Sequence, residues 1–420
     1  MLIAGLSGNE IYCLGRKGYM PGEIAVGNSV RSLGLAGALG SSLQTLAGGE
    51  IANVTQLISE GRHAAIARME EEARRRGAVG VTGVSSELKT LSGYTEFLAQ
   101  GTGVHLAAGG PREGGGFFST AASGIQMYCD VDAGYVPMKF VMGNVAYALG
   151  LARGITGGLR TMAQGEVVEY SQMYNGIRHL ALARMQEEAA ALGANAVVDV
   201  DITMVPFGVG TVELLMTGTA AHHAALPQGR LRPEQVVTSE LSGEELWNLA
   251  SMGYVPVRLV MATSVYSLGL AAGIGTLFRS MAKGELPEVT DLVYKARENC
   301  LEHIRQEATH FGAERVIGNK LTIMEIAPGL IEIVAVGTAI RRTEGMRPET
   351  EQLIPQAVIM EESSLKMKAR PEGAALAAAV VNSGAAEGIR RGANPLGCLI
   401  AGVMFLGFVL LSLLGALLRH

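Results

Sequence analysis

The 420-residue chain is poor in cysteine, in aromatic residues and in charge. Its four cysteines are scattered, which excludes a disulfide framework and indicates a reducing compartment; they are Cys13, Cys129, Cys300 and Cys398. Charged residues make up only 17% of the sequence, and no basic stripe carries interleaved aromatics, so we expect no nucleic-acid partner. Residues 1–14 lack a basic segment followed by an apolar run, so no secretory signal is predicted.

Motifs for catalysis and for nucleotide binding are also lacking. The sequence has no Ser/His/Asp order, no HExxH helix and no close pair of carboxylates that recurs in the chain. Glycine-rich stretches follow predicted strands, but none ends in Gly-Lys-Ser/Thr or carries a well-placed Gly-x-Gly-x-x-Gly fingerprint. We therefore expect a protein that is not an enzyme and that binds no organic cofactor.

One pattern is present three times. A Gly-Glu pair followed by a long run of helical periodicity spans residues 48–77, 164–193 and 283–312. The copies lie about 120 residues apart, far beyond the period of a solenoid, so they indicate a tandem array of whole domains. Around each copy the pattern predicts a short helix, a strand, a pair of helices and two further strands.

The predicted organisation is α+β: three small two-layer domains, a tether and one transmembrane helix. The domains span residues 1–108, 117–224 and 236–343, and they are separated by one glycine-rich and one proline-bearing linker. Residues 344–394 are polar and alanine-rich without a strong period, which predicts a flexible tether. Residues 395–418 are assigned to the transmembrane helix.

The apolar segment near the C-terminus is long enough to cross a bilayer. Residues 396–418 carry no charge, and at 1.5 Å per residue they span about 35 Å, against a bilayer core of about 30 Å. A buried core helix is the alternative, but such helices rarely stay apolar all round for this length. Arg390 and Arg391 precede the segment, so we expect a tail anchor with the three domains in the cytoplasm.

Two charged positions and one glycine position recur in all three repeats. The acid precedes the long helix, the arginine lies within it and the glycine ends it. In that order the residues are Glu50, Glu166 and Glu285; Arg62, Arg178 and Arg297; and Gly77, Gly193 and Gly312. Acid and arginine could grip a ligand together. We favour the other interpretation, in which the acid complements the helix dipole and the arginine forms an ion pair across a subunit contact. The glycine suits a left-handed helix end.

A set of short motifs resembles the YbjQ-like family, which is also labelled a heavy-metal-binding domain. The motifs are Gly48-Gly49, Tyr170, Ala296-Arg297-Glu298, Ala-x-x-x-Gly-Ala at Ala73–Ala78 and Ala189–Ala194, and Gly-Thr-Ala at Gly218–Ala220 and Gly337–Ala339. The resemblance covers all three repeats but neither tether nor anchor. It implies a small α/β domain similar to the dodecin-like fold, which assembles into pentameric rings. The triplication and the anchor depart from the usual single short domain.

The best local set of metal ligands is Cys300, His303 and Glu307, at i, i+3 and i+7 on the third long helix. Repeats 1 and 2 have alanine where the cysteine stands, and zinc requires about four ligands. The sequence therefore favours a ring-forming, membrane-bound homo-oligomer that acts as a scaffold. A small-ligand or heavy-metal-binding module with sites between subunits is the alternative.

Overall fold

The computed structural model describes residues 3–32, 49–91, 94–108, 116–148, 165–207, 211–267, 287–327 and 330–358. All of these residues belong to one compact unit, Met1–Lys366. The first helix of each predicted pair (35–46, 151–162 and 270–281) lies outside the described residues, as do Glu285, the rest of the tether and the transmembrane segment.

Each repeat opens with a nine-residue helix that a serine caps. In repeat 1 the Ser7 hydroxyl accepts a hydrogen bond from the Glu10 backbone N–H, and the Glu10 carboxylate accepts one from the Ser7 N–H. Ser123 and Ser242 make the same capping box with Gln126 and Glu245. These helices are α1 (Gly8–Arg16), α3 (Gly124–Asp132) and α5 (Gly243–Ser251).

In repeats 1 and 2 a long strand, a two-residue strand and a 24-residue helix follow. The described part of repeat 3 has the long strand and the 24-residue helix. The long strands are β1 (Tyr19–Ser32), β6 (Val136–Ala148) and β11 (Tyr254–Ser267). The short strands are β2 (Gly49–Glu50) and β7 (Gly165–Glu166). The long helices are α2 (Ala52–Arg75), α4 (Val168–Ala191) and α6 (Pro287–His310).

An antiparallel hairpin closes each repeat. The hairpins are β3–β4 (Gly80–Leu91, Tyr94–Leu106), β8–β9 (Ala196–Pro206, Thr211–His222) and β12–β13 (Arg315–Ala327, Leu330–Arg342). The last strand of each repeat also pairs with the long first strand, so it lies in the middle of its sheet. These elements confirm the prediction of an α+β fold built from three repeated units.

Short strands join the sheets of neighbouring repeats. From repeat 1, β2 pairs with β6 of repeat 2, and from repeat 2, β7 pairs with β11 of repeat 3. In the other direction β5 (Phe118–Ser119) pairs with β3, and β10 (Val237–Thr238) pairs with β8, both in parallel. The repeats therefore associate side by side within the chain.

Glycine sets the packing distance between each long helix and its own sheet in repeats 1 and 2. A Cβ atom placed on Gly27 would lie 2.0 Å from the Ala65 carbonyl oxygen of α2, and one on Gly143 would lie 1.9 Å from that of Ala181. Any side chain at these positions would push the helix off the strand. At the other end of the helices, Gly77, Gly193 and Gly312 have φ of 77°, 78° and 67°, the left-handed conformation of a helix C′ residue.

Residues 344–358, assigned from the sequence to a flexible tether, instead pack on the short helices. Thr350 donates a hydrogen bond from its hydroxyl to the buried Asp132 carboxylate (2.5 Å), and the Glu349 N–H donates to the Asp132 carbonyl oxygen (2.7 Å). The segment ends in a four-residue helix, α7 (Pro355–Val358). Within the described part of the chain, no helix is long and apolar enough to cross a membrane.

Candidate functional site at the junctions between repeats

A buried ion pair joins repeat 1 to repeat 2. Arg62 of α2 is fully buried, and its Nε and Nη2 donate to the two carboxylate oxygens of Glu213 on β9, at 2.9 and 2.6 Å. Its Nη1 donates to the carbonyl and hydroxyl oxygens of Ser86 (3.0 and 2.9 Å), and the Asn144 amide donates to Glu213 (3.2 Å). The pair is bidentate and well satisfied, which is the condition for a buried ion pair to persist.

The same contact joins repeat 2 to repeat 3. Arg178 Nη1 on α4 lies 2.8 Å from Glu332 Oε1 on β13, and it donates to the Thr263 hydroxyl at 2.7 Å. Both charged side chains are buried. Arg178 and Glu332 stand in their repeats where Arg62 and Glu213 stand in theirs, so one arrangement is made twice.

Two further contacts surround each ion pair. The Thr55 hydroxyl accepts from the Ala146 N–H (2.9 Å), as the Ser171 hydroxyl accepts from the Val265 N–H (2.8 Å). In addition, an imidazole on the outer face of each helix meets a glutamate of the following helix: His63 with Glu188 and His179 with Glu307, each at 3.3 Å. Hydrogen bonding to these glutamates raises the pKa of both histidines.

These contacts give each junction a direction. The long helix of the earlier repeat supplies the arginine, the hydroxyl and the histidine. The sheet and long helix of the later repeat supply the carboxylates and the strand N–H group. A junction of this kind is heterologous, because the two surfaces that meet are different.

Asp132 at the end of α3 holds all three repeats together. Its carboxylate accepts from Lys17 Nζ of repeat 1 (2.6 Å) and from the Trp247 indole N–H of repeat 3 (2.8 Å), in addition to Thr350. Burial alone would raise the pKa of Asp132, but the hydrogen bonds from Lys17, Thr350 and Trp247 outweigh burial and lower that pKa. The carboxylate is therefore ionised and fully paired.

A second acidic site in repeat 2 has raised pKa values, in contrast to Asp132. Asp130 and Asp199 are adjacent, and burial raises the pKa of Asp199 to about 7 and that of Asp130 well above its usual value. Asp199 has φ of 53°, in a strand bulge where repeats 1 and 3 have Gly83 and Gly318. The two carboxyl groups cannot both ionise at low cost, so they share a proton below neutral pH.

Asp199 also borders an open cavity of about 670 Å³ that residues of all three repeats line. Ser86 comes from repeat 1, Thr217 from repeat 2 and Lys320 from repeat 3. Glu240 also lines this cavity and accepts a hydrogen bond from Lys320 at 3.1 Å. The cavity exists only because the repeats are joined.

The structure does not bring the three predicted metal ligands together. Cys300 is fully buried, with its thiol donating to the Ile333 carbonyl oxygen (3.3 Å), whereas His303 is exposed. Glu307 binds His179 and accepts from the Met261 N–H. Helical spacing predicted that Cys300, His303 and Glu307 share one face of α6. In the structure Cys300 is buried, whereas His303 is exposed.

In repeats 1 and 2, where the structure describes both residues, the recurring acid and arginine do not pair with each other. Glu50 lies 2.8 Å from Arg184 of repeat 2, and Glu166 accepts hydrogen bonds from Ser171 and from Asn299 of repeat 3. In repeat 3, Arg297 is exposed on α6. The glutamates that bind the arginines were not predicted from the sequence. A glutamate at the third residue of each final strand was the available signal (Glu96, Glu213 and Glu332).

Fold and junctions define a tandem-repeat protein that joins like α/β domains side by side. A family model described as "Putative heavy-metal-binding", YbjQ_1, matches residues 17–107, 135–224 and 253–343. The chain belongs to this family. No solved structure shows significant similarity to the chain.

Several named proteins are similar to the chain. An encapsulin nanocompartment protein of Mycobacterium tuberculosis is 33% identical over 216 residues, which cover 50% of this chain and 80% of that protein. A UPF0145 protein of Methanoregula boonei is 44% identical over 83 residues, or 20% of this chain and 69% of the relative. One from Thermus thermophilus is 43% identical over 84 residues, or 20% and 74%.

The described residues do not fit the heavy metal that the family description implies. Among them no three histidine, cysteine or acidic side chains are placed to hold one ion. Burial raises the pKa of the Cys13 thiol to about 11 and raises the pKa values of Cys129 and Cys300. A soft metal binds the thiolate, which these sites disfavour.

Proposed function

We propose that this protein is a non-catalytic, oligomeric scaffold. The observation that carries the proposal is the Arg–Glu junction, made once with Arg62 and once with Arg178 and buried both times. Desolvating an arginine and a glutamate is expensive, and two such contacts hold three domains in a defined arrangement. That arrangement presents a repeated surface to partners, as a scaffold requires.

The relative named as an encapsulin nanocompartment protein supports a role in a large protein assembly. We extend this to the present chain as a structural or cargo-associated component. Residues 395–418 would anchor it to a membrane, with the repeats on the cytoplasmic side and with copies of the chain in a ring, for which five-fold symmetry is our preference. In intact cells, external protease should then spare all three repeats. Digestion of the repeats from outside would refute the proposed orientation.

Self-association is the testable core of the proposal. We expect the full chain, purified in a non-ionic detergent matched in density to the solvent, to sediment as a particle several times its 44.0 kDa mass. Density matching makes the micelle invisible, so the mass is that of protein alone. A species of one chain at micromolar concentration would contradict the scaffold.

A second candidate function is the binding of a small ligand in the cavity of about 670 Å³. The observation that favours it is the charged lining, which includes Lys320 and Glu240 at 3.1 Å from each other. Native mass spectrometry and elemental analysis of the purified chain test this function. Co-purifying mass that Lys320→Ala removes would support it, and a mass equal to the bare polypeptide would count against it.

A further inference from the structure

The long helix of repeat 3 presents the same side chains as its two counterparts, but without a following repeat to bind them. Arg297 and Thr290 are exposed, whereas Arg62 and Thr55 of repeat 1 and their counterparts in repeat 2 are buried. Tyr294 on the same face is 60% exposed. Within the described residues, Arg297 has no hydrogen-bond or ion-pair partner.

The first strand of repeat 1 is uncovered in the complementary way. Val26 and Val30 of β1 are 45% and 57% exposed, while Met142 and Ala146, at the same positions of repeat 2, are 4% and 0% exposed. Repeat 3 buries both positions as well. The difference follows from the junction: the helix of the preceding repeat covers this surface, and repeat 1 has no predecessor.

The glutamate that receives the arginine is also unengaged in repeat 1. Glu96 stands where Glu213 and Glu332 bind their arginines, and it is half-buried with no partner among the described residues. Asn28, at the position of Asn144, is exposed beside it. At the start of α1, a Cβ on Gly8 would meet no atom within 4 Å, whereas one on Gly124 would touch Glu10 of the preceding repeat.

We propose that a second copy of this chain occupies these surfaces, so that the junction is made a third time between chains. Arg297 of one copy binds Glu96 of the next, and Asn28 donates to the same carboxylate, as Arg62 and Asn144 both donate to Glu213. This inference rests on the proposed self-association and names the surfaces that carry it. In the described parts of repeats 2 and 3, the acceptor surface is covered by the preceding repeat.

The charges at the edge of the two surfaces agree with this pairing. In the first junction Glu70 of the helix binds Lys139 of the following repeat at 2.5 Å. The corresponding residues of the proposed junction are Arg305 and Glu23, so the signs are exchanged and the attraction is kept. Opposite charges at this place are compatible with the junction, whereas two like charges would repel; within one chain Arg305 pairs with Glu302 and Glu23 with Arg76.

One position weakens the contact between chains relative to the internal ones. Where His63 and His179 meet glutamates, repeat 3 has Glu298, which would face Glu72 of the next copy. Arg76 already binds Glu72 at 2.7 Å and reduces the repulsion. A junction that is slightly weaker than the internal pair suits an assembly that forms from folded chains.

Because the contact is heterologous, it leaves a free surface at each end of any open assembly. It therefore produces either a closed ring or a filament. A closed ring of this kind contains whole chains, so its number of repeats is a multiple of three.

Charge exchange in trans tests the junction with the full chain in detergent. Arg297→Glu and Glu96→Arg should each weaken association by about 30-fold or more, because each leaves two like charges face to face. The double variant Arg297→Glu, Glu96→Arg should recover assembly, since unlike charges then meet at every junction whatever the number of chains. Lys295→Ala is the matched control, because that position of the long helix is exposed in all three repeats. Near-UV circular dichroism verifies that each variant is folded.

The outcomes separate this inference from the proposed scaffold. If wild type assembles and either variant alone assembles equally well, the junction is refuted and self-association stands. If the single variants dissociate but the double variant does not recover, direct pairing of the two residues is refuted. If wild type is monomeric, both proposals fail. As an independent gain-of-function arm, Glu298→His should tighten assembly several-fold by restoring the histidine–glutamate pair, and no gain would count against the proposed register of the two surfaces.

Discussion

Replacing Asp199 should make repeat 2 more stable at neutral pH and less sensitive to pH. The folded state raises the pKa of this carboxyl group from 3.8 to about 7, because both oxygens are buried beside Asp130. A raised pKa means that the folded state binds the proton more tightly than the unfolded state does. The stabilisation is therefore fully present below pH 4, and it is lost as the pH rises towards 7.

The expected size follows from the pKa shift and from the backbone. Each unit of pH between these limits removes about 1.4 kcal/mol, so about 2–3 kcal/mol is lost between pH 5 and pH 7. The left-handed φ of 53° adds a conformational cost of about 1 kcal/mol, which glycine at this position of repeats 1 and 3 avoids. Asp199→Asn removes only the charge, while Asp199→Gly removes both the charge and the strain.

Hydrogen exchange followed by mass spectrometry is the suitable assay, because it reports the opening free energy of β8 and α3 separately from the other repeats. Both variants should flatten the pH dependence of this free energy, and the glycine variant should be the more protected of the two. Asp201→Asn, on the same strand but exposed, is the control and should leave the profile unchanged. An Asp199→Asn profile as steep as that of wild type would refute the assignment of the titrating group.

Two further predictions concern contacts between segments of the chain, and a third concerns a helix end. Arg62→Ala should cost about 3–5 kcal/mol at the first junction by leaving Glu213 buried and unpaired, and exchange in β6 should accelerate, whereas a slow, wild-type rate would show that the pair is dispensable. Asp132→Ala should release residues 344–358, so that limited proteolysis cuts there first; unchanged cleavage would contradict the role given to this carboxylate. Gly193→Val should destabilise repeat 2 by about 1 kcal/mol or more, since φ of 78° resists a β-branched residue, and an unaltered opening free energy there would argue against that strain.

Local periodicity was sufficient to predict the repeat and the order of those of its elements that the structure describes. The strand ending at Ala148 and the helix ending before Gly193 follow from β-branched and apolar runs and from glycine at a helix terminus. Such signals depend on neighbouring residues in the chain. Because they are local, these signals predict three copies of the unit but do not predict how the copies are arranged.

The junctions could not be predicted because their partners are far apart in sequence. Arg62 and Glu213 are separated by 151 residues, and β2 and β5 are two residues long, too short to show any alternation. Asp132 ends a nine-residue helix like any surface acid, and only the structure shows three segments converging on it. The metal ligands were proposed from spacing on one helix, which does not reveal that Cys300 faces the sheet.

An image of the assembled particle at domain resolution is the most direct test of whether chains join as their own repeats do. If chains join as their own repeats do, single-particle electron microscopy of the full chain should show repeats at one constant spacing, with no difference between neighbours within a chain and neighbours from two chains. Isolated three-domain particles, or chains joined back to back through identical surfaces, would contradict the account.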